Sequence, residues 1–190
     1  MNIREKLLRA MIENKVIDPD EAEIYSFGVQ LLSETVISFV VFFIIAALLG
    51  MLTEYIVFMA AFAALRQYAG GSHAGTFLRC LLISCVIVMS LYLPLKFTGD
   101  GTLFIYTGSA LSLPVIAVLS PVDSVYKPIA DEDKKKYRKR ALIILGAEVS
   151  VVIVLLICVK NSYALCVVYS WCALAVSMVA GSIQNKRLGR

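Results

Sequence analysis

Hydrophobic residues make up 59% of this 190-residue chain, and its mean hydropathy is +0.81. Soluble domains contain roughly 45–50% apolar residues, so this composition excludes an ordinary soluble protein and predicts an integral membrane protein. The net charge is +4, and the odd number of five cysteines does not indicate a disulfide framework. The length suits one membrane domain over residues 1–190.

The chain begins with an amphipathic segment. Residues 3–17 carry apolar side chains at every third or fourth position and cations on the other face. This pattern predicts a helix over 1–20 that lies in the membrane interface. Asp18-Pro19-Asp20 is typical of the end of one helix and the start of the next. We expect no cleavable signal peptide, because the first twenty residues lack a compact apolar stretch.

Long apolar runs then predict an all-α bundle of about six transmembrane or re-entrant helices over 21–183, followed by a basic tail over 184–190. The second span is short for a bilayer, which needs about 20 residues. The third span is expected to stop at Pro94, and a hydrophilic loop over 121–140 to precede the fifth. The expected spans are 27–49, 52–66, 76–95, 102–120, 141–159 and 162–183.

The distribution of cations predicts the orientation. Of the 18 Lys and Arg residues, all but Lys96 and Lys160 fall on one side of the six expected spans. Cations accumulate in cytoplasmic loops, so we expect both termini and the segment 66–79 on the cytoplasmic side. Cytoplasmic reducing conditions would keep Cys80 as a thiol.

The polar segment 66–80 contains the only histidine, His73, seven residues before Cys80. Histidine is the usual base for a cysteine nucleophile. Seven residues of unbroken helix would separate the two by roughly 10 Å, which excludes a direct hydrogen bond. Gly70, Gly71 and Gly75, however, allow the backbone to leave helical geometry. The pattern therefore allows a Cys–His dyad across a break between two helices.

Two further features would favour the Cys80 thiolate: the dipole of a helix that begins just before it, and the charge of Arg79. Simpler interpretations remain open. A lone histidine is often a structural hydrogen-bonding residue, and membrane cysteines often fill apolar space. Cys85 lies deeper in an apolar run and is the weaker nucleophile candidate, while Cys158, Cys166 and Cys172 are expected to be filler.

Segment 66–80 contains the pattern Arg66-x-x-x-Gly70-Gly71-x-His73-Ala74, followed by Cys80 seven residues after the histidine. This pattern resembles the signature of the accessory gene regulator B (AgrB) family of membrane cysteine endopeptidases. Chain length, multiple spans, the amphipathic start and the lysine-rich segment before the fifth span extend the likeness over the whole chain.

The resemblance implies a quorum-sensing peptide processor of the bacterial cell membrane. Family members cut the C-terminal tail from a propeptide, AgrD, through an acyl-enzyme, and an internal Cys or Ser of the peptide then closes a thiolactone or lactone ring. By position, Cys80 would be the nucleophile and His73 its general base. Arg66, Gly70 and Gly71 would shape the site. No cofactor, metal or nucleic acid is expected, and a homodimer is considered.

Two acidic residues, Glu34 and Glu148, lie inside expected spans, where ionisable groups usually face the bundle interior with a partner. Either could orient His73, or could pair with Arg66 or Arg79. We favour the structural pairing.

A basic run precedes the fifth span and has two interpretations. It could anchor the chain to anionic lipid, or it could attract the acidic tail that AgrD-type propeptides carry. The two roles are compatible. The cations of the run are Lys134, Lys135, Lys136, Arg138, Lys139 and Arg140.

Two other classes of function are considered. A small transporter or exporter component would use Glu34 and Glu148 to line a path between helices, but no repeated halves are visible in the sequence. A purely structural assembly subunit would leave the Gly-His-Cys cluster without a role.

Overall fold

The computed structural model describes residues 22–71, 76–123 and 131–187. The predicted interfacial helix over 1–20 and His73 lie outside these ranges. Within them the secondary structure is helical, apart from one isolated bridge between Gly70 and Val122, which confirms the predicted all-α class. The helices are α1 (Ala22–Leu48), α2 (Leu52–Ala69), α3 (Phe77–Ser90), α4 (Tyr92–Phe97), α5 (Thr102–Leu119), α6 (Asp131–Ile157) and α7 (Asn161–Arg187).

Five stretches of these helices are long and apolar enough to cross a membrane, which makes the chain a multi-pass membrane protein. They correspond to α1, α3 with α4, α5, α6 and α7. Helix α2, which matches the predicted second span, is less apolar because it contains Glu54 and Arg66. The five candidate spans are Ile24–Leu48, Phe77–Phe97, Thr102–Leu119, Asp133–Ile157 and Asn161–Lys186.

Contacts divide the chain into two compact units, Met1–Ile44 and Ile45–Arg190. In the second unit α7 is the central helix, and it packs on α2, α5 and α6. Trp171, Leu174 and Met178 of α7 are fully buried. A Cβ at Gly108 of α5 would lie 2.9 Å from Val168 of α7, so glycine is what permits this close approach of two helices.

Tyr169 of α7 joins three other helices. Its hydroxyl donates to the Ile87 carbonyl of α3 at 3.0 Å and also hydrogen-bonds to Ser90. Its ring lies 5.7 Å from that of Phe58 in α2 and 6.3 Å from that of Phe104 in α5. Through Tyr169, the C-terminal end of α3 is fastened to the rest of the unit.

The prediction that the third span stops at Pro94 is wrong. Pro94 is the third residue of α4, which continues the span to Phe97. A proline is tolerated there because the N–H groups of a helix's first turn have no partner within the helix. The proline marks the start of a short helix.

The prediction of a loop over 121–140 is wrong in its second half. Helix α6 begins at Asp131, so the whole basic run 134–140 is helical and continuous with the fifth span. Lysine and arginine are good helix formers, and Asp133 near the helix N-terminus suits the macrodipole. A charged sequence at the end of an apolar span therefore extended the helix.

The turn between α4 and α5 lies at the end of the second unit opposite to the basic run. The backbone N–H and the hydroxyl of Thr102 both donate to the Asp100 carboxylate, at 3.1 and 2.6 Å. These hydrogen bonds lower the pKa of Asp100, and the carboxylate accepts both of them at the start of α5.

Candidate active site

Two glycines interrupt the helical geometry between α2 and α3, as the sequence predicts. Helix α2 ends at Ala69, after which Gly70 has φ 75° and Gly71 has φ 132°. Residues with a side chain rarely adopt such positive φ values. The polypeptide can therefore leave the helix abruptly here and enter the segment that leads to α3.

Arg66, in the last turn of α2, holds Gly70 through both its backbone and its side chain. The Arg66 carbonyl accepts the Gly70 N–H at 3.1 Å, and Arg66 Nη1 donates to the Gly70 carbonyl at 2.6 Å. The same Nη1 donates to Ser177 Oγ of α7 at 3.0 Å. A half-buried guanidinium thus satisfies a carbonyl beyond the helix end, where partners within the helix are missing.

Both glycines are also required by close packing. A Cβ at Gly70 would lie 2.0 Å from the Val122 carbonyl oxygen, and a Cβ at Gly71 would lie 1.8 Å from Arg66 Nη1. Val122 is held next to the end of α2 because its N–H donates to the Ala69 carbonyl at 2.8 Å. The turn is therefore clamped between the Arg66 side chain on one side and the segment after α5 on the other.

Cys80 lies in the first turn of α3, as predicted, and its side chain is exposed. Its N–H donates to the Thr76 carbonyl at 3.1 Å, which closes that turn. The N-terminal end of a helix favours a negative charge. The Arg66 guanidinium also lies close enough to Cys80 for an electrostatic interaction. The surroundings of Cys80 thus include a helix N-terminus and a guanidinium.

The remaining cysteines have different surroundings. Cys85 is half-buried in α3, Cys166 is buried in α7, and Cys172 Sγ lies 3.7 Å from the Gly108 carbonyl oxygen. Cys158 is exposed, but it follows α6 at the end of the unit opposite to Cys80. Among the cysteines, Cys80 is the one that combines exposure with a helix N-terminus and a nearby guanidinium.

The basic run occupies the same end of the unit as the glycine turn. Lys134 Nζ lies 3.8 Å from Asp123 Oδ2, and Arg138 Nη2 donates to the Ala117 carbonyl at 3.3 Å. The Arg140 guanidinium lies 5.6 Å from the ring centre of Tyr68, two residues before Gly70. These three cations fasten α6 to the C-terminal ends of α5 and α2.

Three other cations of the run, Lys135, Lys136 and Lys139, have exposed side chains. Arg138 and Arg140 are exposed as well. They differ from the three lysines, as Lys134 does, in contacting a named group of the bundle. The residue sequence alone does not show which cations make these contacts, because the partners lie in distant parts of the chain.

The family model for accessory gene regulator B matches residues 4–179. The chain belongs to the AgrB family. The match covers most of the chain, including the glycine turn and Cys80, and it connects the protein to the agr quorum-sensing system.

Curated relatives of this AgrB chain come from two bacterial species. An AgrB-like protein of Clostridium perfringens strain SM101 is 28% identical over 143 residues, which cover 71% of this chain and 67% of the relative. An AgrB-like protein 2 of C. perfringens strain 13 is 25% identical with the same coverage. An AgrB-like protein of Lactiplantibacillus plantarum is 26% identical over 75% of this chain and 72% of its own. No solved structure matches the chain.

The two acidic residues predicted inside spans of this AgrB chain have different partners. Glu148 of α6 accepts a hydrogen bond from Trp171 Nε1 of α7 at 2.6 Å, and its other oxygen is buried with no partner among the residues that the structure describes. Glu34 of α1 accepts from Gln30 Nε2 at 2.9 Å, one turn earlier in the same helix. His73 lies outside the described residues, so whether either carboxylate orients it stays a prediction.

Sequence reasoning missed two contributors to the AgrB glycine turn, Ser177 and Val122. Ser177 lies 111 positions after Arg66, inside an apolar helix, and Val122 is an ordinary apolar residue after α5. Nothing in their residue types marks them, because both act through long-range contacts. Only the α2–α7 packing brings Ser177 to the guanidinium.

Proposed function

We propose that this AgrB chain is a membrane cysteine endopeptidase that cleaves the C-terminal tail of an AgrD-type propeptide. The observation that supports it best is the place of Cys80, exposed in the first turn of α3 and within electrostatic reach of the guanidinium that clamps the glycine turn. A nucleophilic cysteine requires such an electropositive and accessible setting. We also infer that the site faces the cytoplasm.

The reaction has two acyl transfers. The Cys80 thiolate attacks the carbonyl carbon of the scissile peptide bond, the C–N bond breaks, and the tail leaves as an amine after receiving a proton. His73 is the proposed general base and acid for these proton transfers. The thiol or hydroxyl of an internal Cys or Ser of the peptide then attacks the Cys80 thioester. This step closes the thiolactone or lactone ring and releases Cys80.

Formation of the thioester from a peptide bond is unfavourable, so the reaction needs binding energy and removal of the tail. The exposed side chains of Lys135, Lys136 and Lys139 offer positive charge at the same end of the unit as the glycine turn. We infer that these lysines attract the acidic tail, alone or together with anionic lipid. A homodimer stays a prediction.

Incubation of the full chain in lipid vesicles with a synthetic AgrD-type propeptide tests the proposal, with mass spectrometry of the products. The unchanged protein should release the tail, and Cys80→Ala should release none. Cys85→Ala is the matched control on the same helix and should remain active. Tail release by Cys80→Ala would contradict the endopeptidase function.

The role of His73 is tested separately by the rate at which Cys80 reacts with a small alkylating reagent near neutral pH. A general base that draws the proton from the thiol raises this rate. His73→Ala should therefore lower both alkylation and tail release. An unchanged alkylation rate would deny His73 the role of base.

A further inference from the structure

The Arg66 guanidinium is shared between the glycine turn and helix α7. Arg66 Nη1 donates to the Gly70 carbonyl at 2.6 Å and to Ser177 Oγ at 3.0 Å. Hydrogen bonds from a charged donor are stronger than those between neutral groups. Ser177 belongs to the central helix of the unit, which is buried along much of its length. The Ser177 hydroxyl therefore connects the Arg66 side chain, next to the glycine turn, to the central helix α7.

Gly71, the guanidinium and the Ser177 hydroxyl meet at one point. A Cβ placed on Gly71 would lie 1.8 Å from Arg66 Nη1 and 2.9 Å from Ser177 Oγ. The space that a side chain would need is thus filled by the Arg66–Ser177 pair. In such close packing, a shift of any one of the three groups moves the other two.

We propose that Ser177 is a positioning residue for the reaction at Cys80, acting through Arg66. The Ser177 hydroxyl accepts a hydrogen bond from the same Arg66 nitrogen that donates to the Gly70 carbonyl, so it helps to hold the guanidinium beside the Gly70–Gly71 turn. This inference rests on the proposed function, because it assigns Ser177 a part in activating the nucleophile of that reaction.

The consequence of losing the hydroxyl follows from these contacts. Without Ser177 Oγ, Nη1 loses the acceptor on α7 but keeps its bond to the Gly70 carbonyl. The guanidinium then loses one of its anchors, so the position of its charge relative to Cys80 is less closely defined. A displaced cation stabilises the thiolate less, so the thiol should react more slowly while the bundle stays folded.

The experiment compares Ser177→Ala with Ser177→Thr, which keeps a hydroxyl. The first readout is the alkylation rate of Cys80 at one fixed pH, in full-length protein whose exposed Cys158 is replaced by serine. We expect a roughly three- to tenfold lower rate for Ser177→Ala, the effect of weakening one hydrogen bond to a charged group. Ser177→Thr should restore the rate. Ser150→Ala, a change at an exposed serine of α6 whose hydroxyl bonds within its own helix, should leave it unchanged.

A second pair of variants distinguishes a positioning role of Ser177 from an effect on folding. The threonine of Ser177→Thr and the valine of Ser177→Val have nearly the same volume, and only threonine has a hydroxyl. The pair therefore tests the role of the hydroxyl even if Ser177→Ala unfolds. Equal alkylation rates for the Thr and Val variants would overturn the inference. A lower rate for Val, together with a lower kcat and an unchanged KM for propeptide cleavage, would support it.

The outcome is distinct from a failure of the proposed function. If Cys80→Ala still cleaves the propeptide, the endopeptidase proposal fails whatever the Ser177 variants do. If Cys80→Ala is inactive and Ser177→Ala alkylates like the unchanged protein, the role of Ser177 alone is refuted.

Discussion

Gly71 lies so close to Arg66 that a Cβ on the glycine would be 1.8 Å from the guanidinium Nη1. Gly71→Ala should therefore displace the guanidinium, and its φ of 132° adds backbone strain of about 1–3 kcal/mol. We expect a lower unfolding midpoint, slower Cys80 alkylation and loss of tail release. Differential scanning fluorimetry and alkylation rates measure these effects.

Gly146→Ala is the matched control, because Gly146 lies within helix α6 and a Cβ there would meet nothing within 4 Å. Alanine is the better helix former, so this change should leave the midpoint equal or higher and the activity intact. If Gly71→Ala behaves like Gly146→Ala, the turn is not held by the Arg66 contact.

The contribution of three exposed lysines of the basic run to propeptide binding can be compared with that of cations at the other end of the unit. Replacing Lys135, Lys136 and Lys139 by glutamine should weaken propeptide binding about ten- to a hundredfold at low salt, since each exposed cation contributes about 1 kcal/mol or less and salt screens it. Vesicles of neutral lipid remove the contribution of anionic headgroups, and fluorescence anisotropy of a labelled propeptide gives the affinity. The alkylation rate of Cys80 should not change.

The control replaces Lys96 and Lys160, which are exposed at the other end of the unit, by glutamine. This double variant should bind the propeptide like the unchanged protein. Tail binding that is independent of salt, or equally affected by both sets of changes, would make the run a lipid anchor and place substrate recognition elsewhere.

Two substitutions of Glu148 test whether its carboxylate stabilises the bundle or orients His73. Glu148→Gln keeps an oxygen that can accept the Trp171 Nε1 hydrogen bond, so stability and tail release should both persist. Glu148→Leu leaves the indole N–H without its acceptor and should destabilise the bundle by about 1–3 kcal/mol. Unfolding midpoints and cleavage rates are compared for the two variants. A stable Gln variant without cleavage activity would instead indicate that the negative charge orients His73.

Two native cysteines at opposite ends of the second unit test the membrane orientation. Cys80 and Cys158 are both exposed, and chains that keep only one of them can be treated with a membrane-impermeant maleimide on intact cells. The charge distribution predicts that Cys158 reacts from outside and that Cys80 reacts only after the cells are permeabilised. Labelling of Cys80 in intact cells would reverse the orientation, and the substrate would then be met on the outer face.

The helices were predictable because their apolar runs are long, whereas two boundaries were not. Pro94 was expected to end a span and instead lies in the first turn of α4. The basic run was expected to be a loop because it is charged, although lysine and arginine are compatible with a helix that leaves the membrane. Charge indicates that a segment is polar, but it does not determine whether that segment is helical.

The candidate site was predictable in its local part. The glycine break and the position of Cys80 at a helix start follow from residue types and spacing, and both are observed. The partners of Arg66 could not be predicted, because Ser177 comes from a helix more than a hundred residues away. The contacts of the basic run with Asp123, Ala117 and Tyr68 likewise could not be predicted, because they join distant parts of the sequence.

The most direct test of the central claim is the intact mass of the protein during turnover. A propeptide whose internal Cys or Ser is replaced by alanine cannot close the ring, so the acyl group should accumulate on Cys80. We predict a protein species heavier by the N-terminal propeptide fragment, sensitive to hydroxylamine and located at Cys80 by peptide mapping. The Cys80→Ala variant should not form this heavier species. Release of the tail with no such adduct on the unchanged protein, or an adduct that persists in Cys80→Ala, would contradict the account.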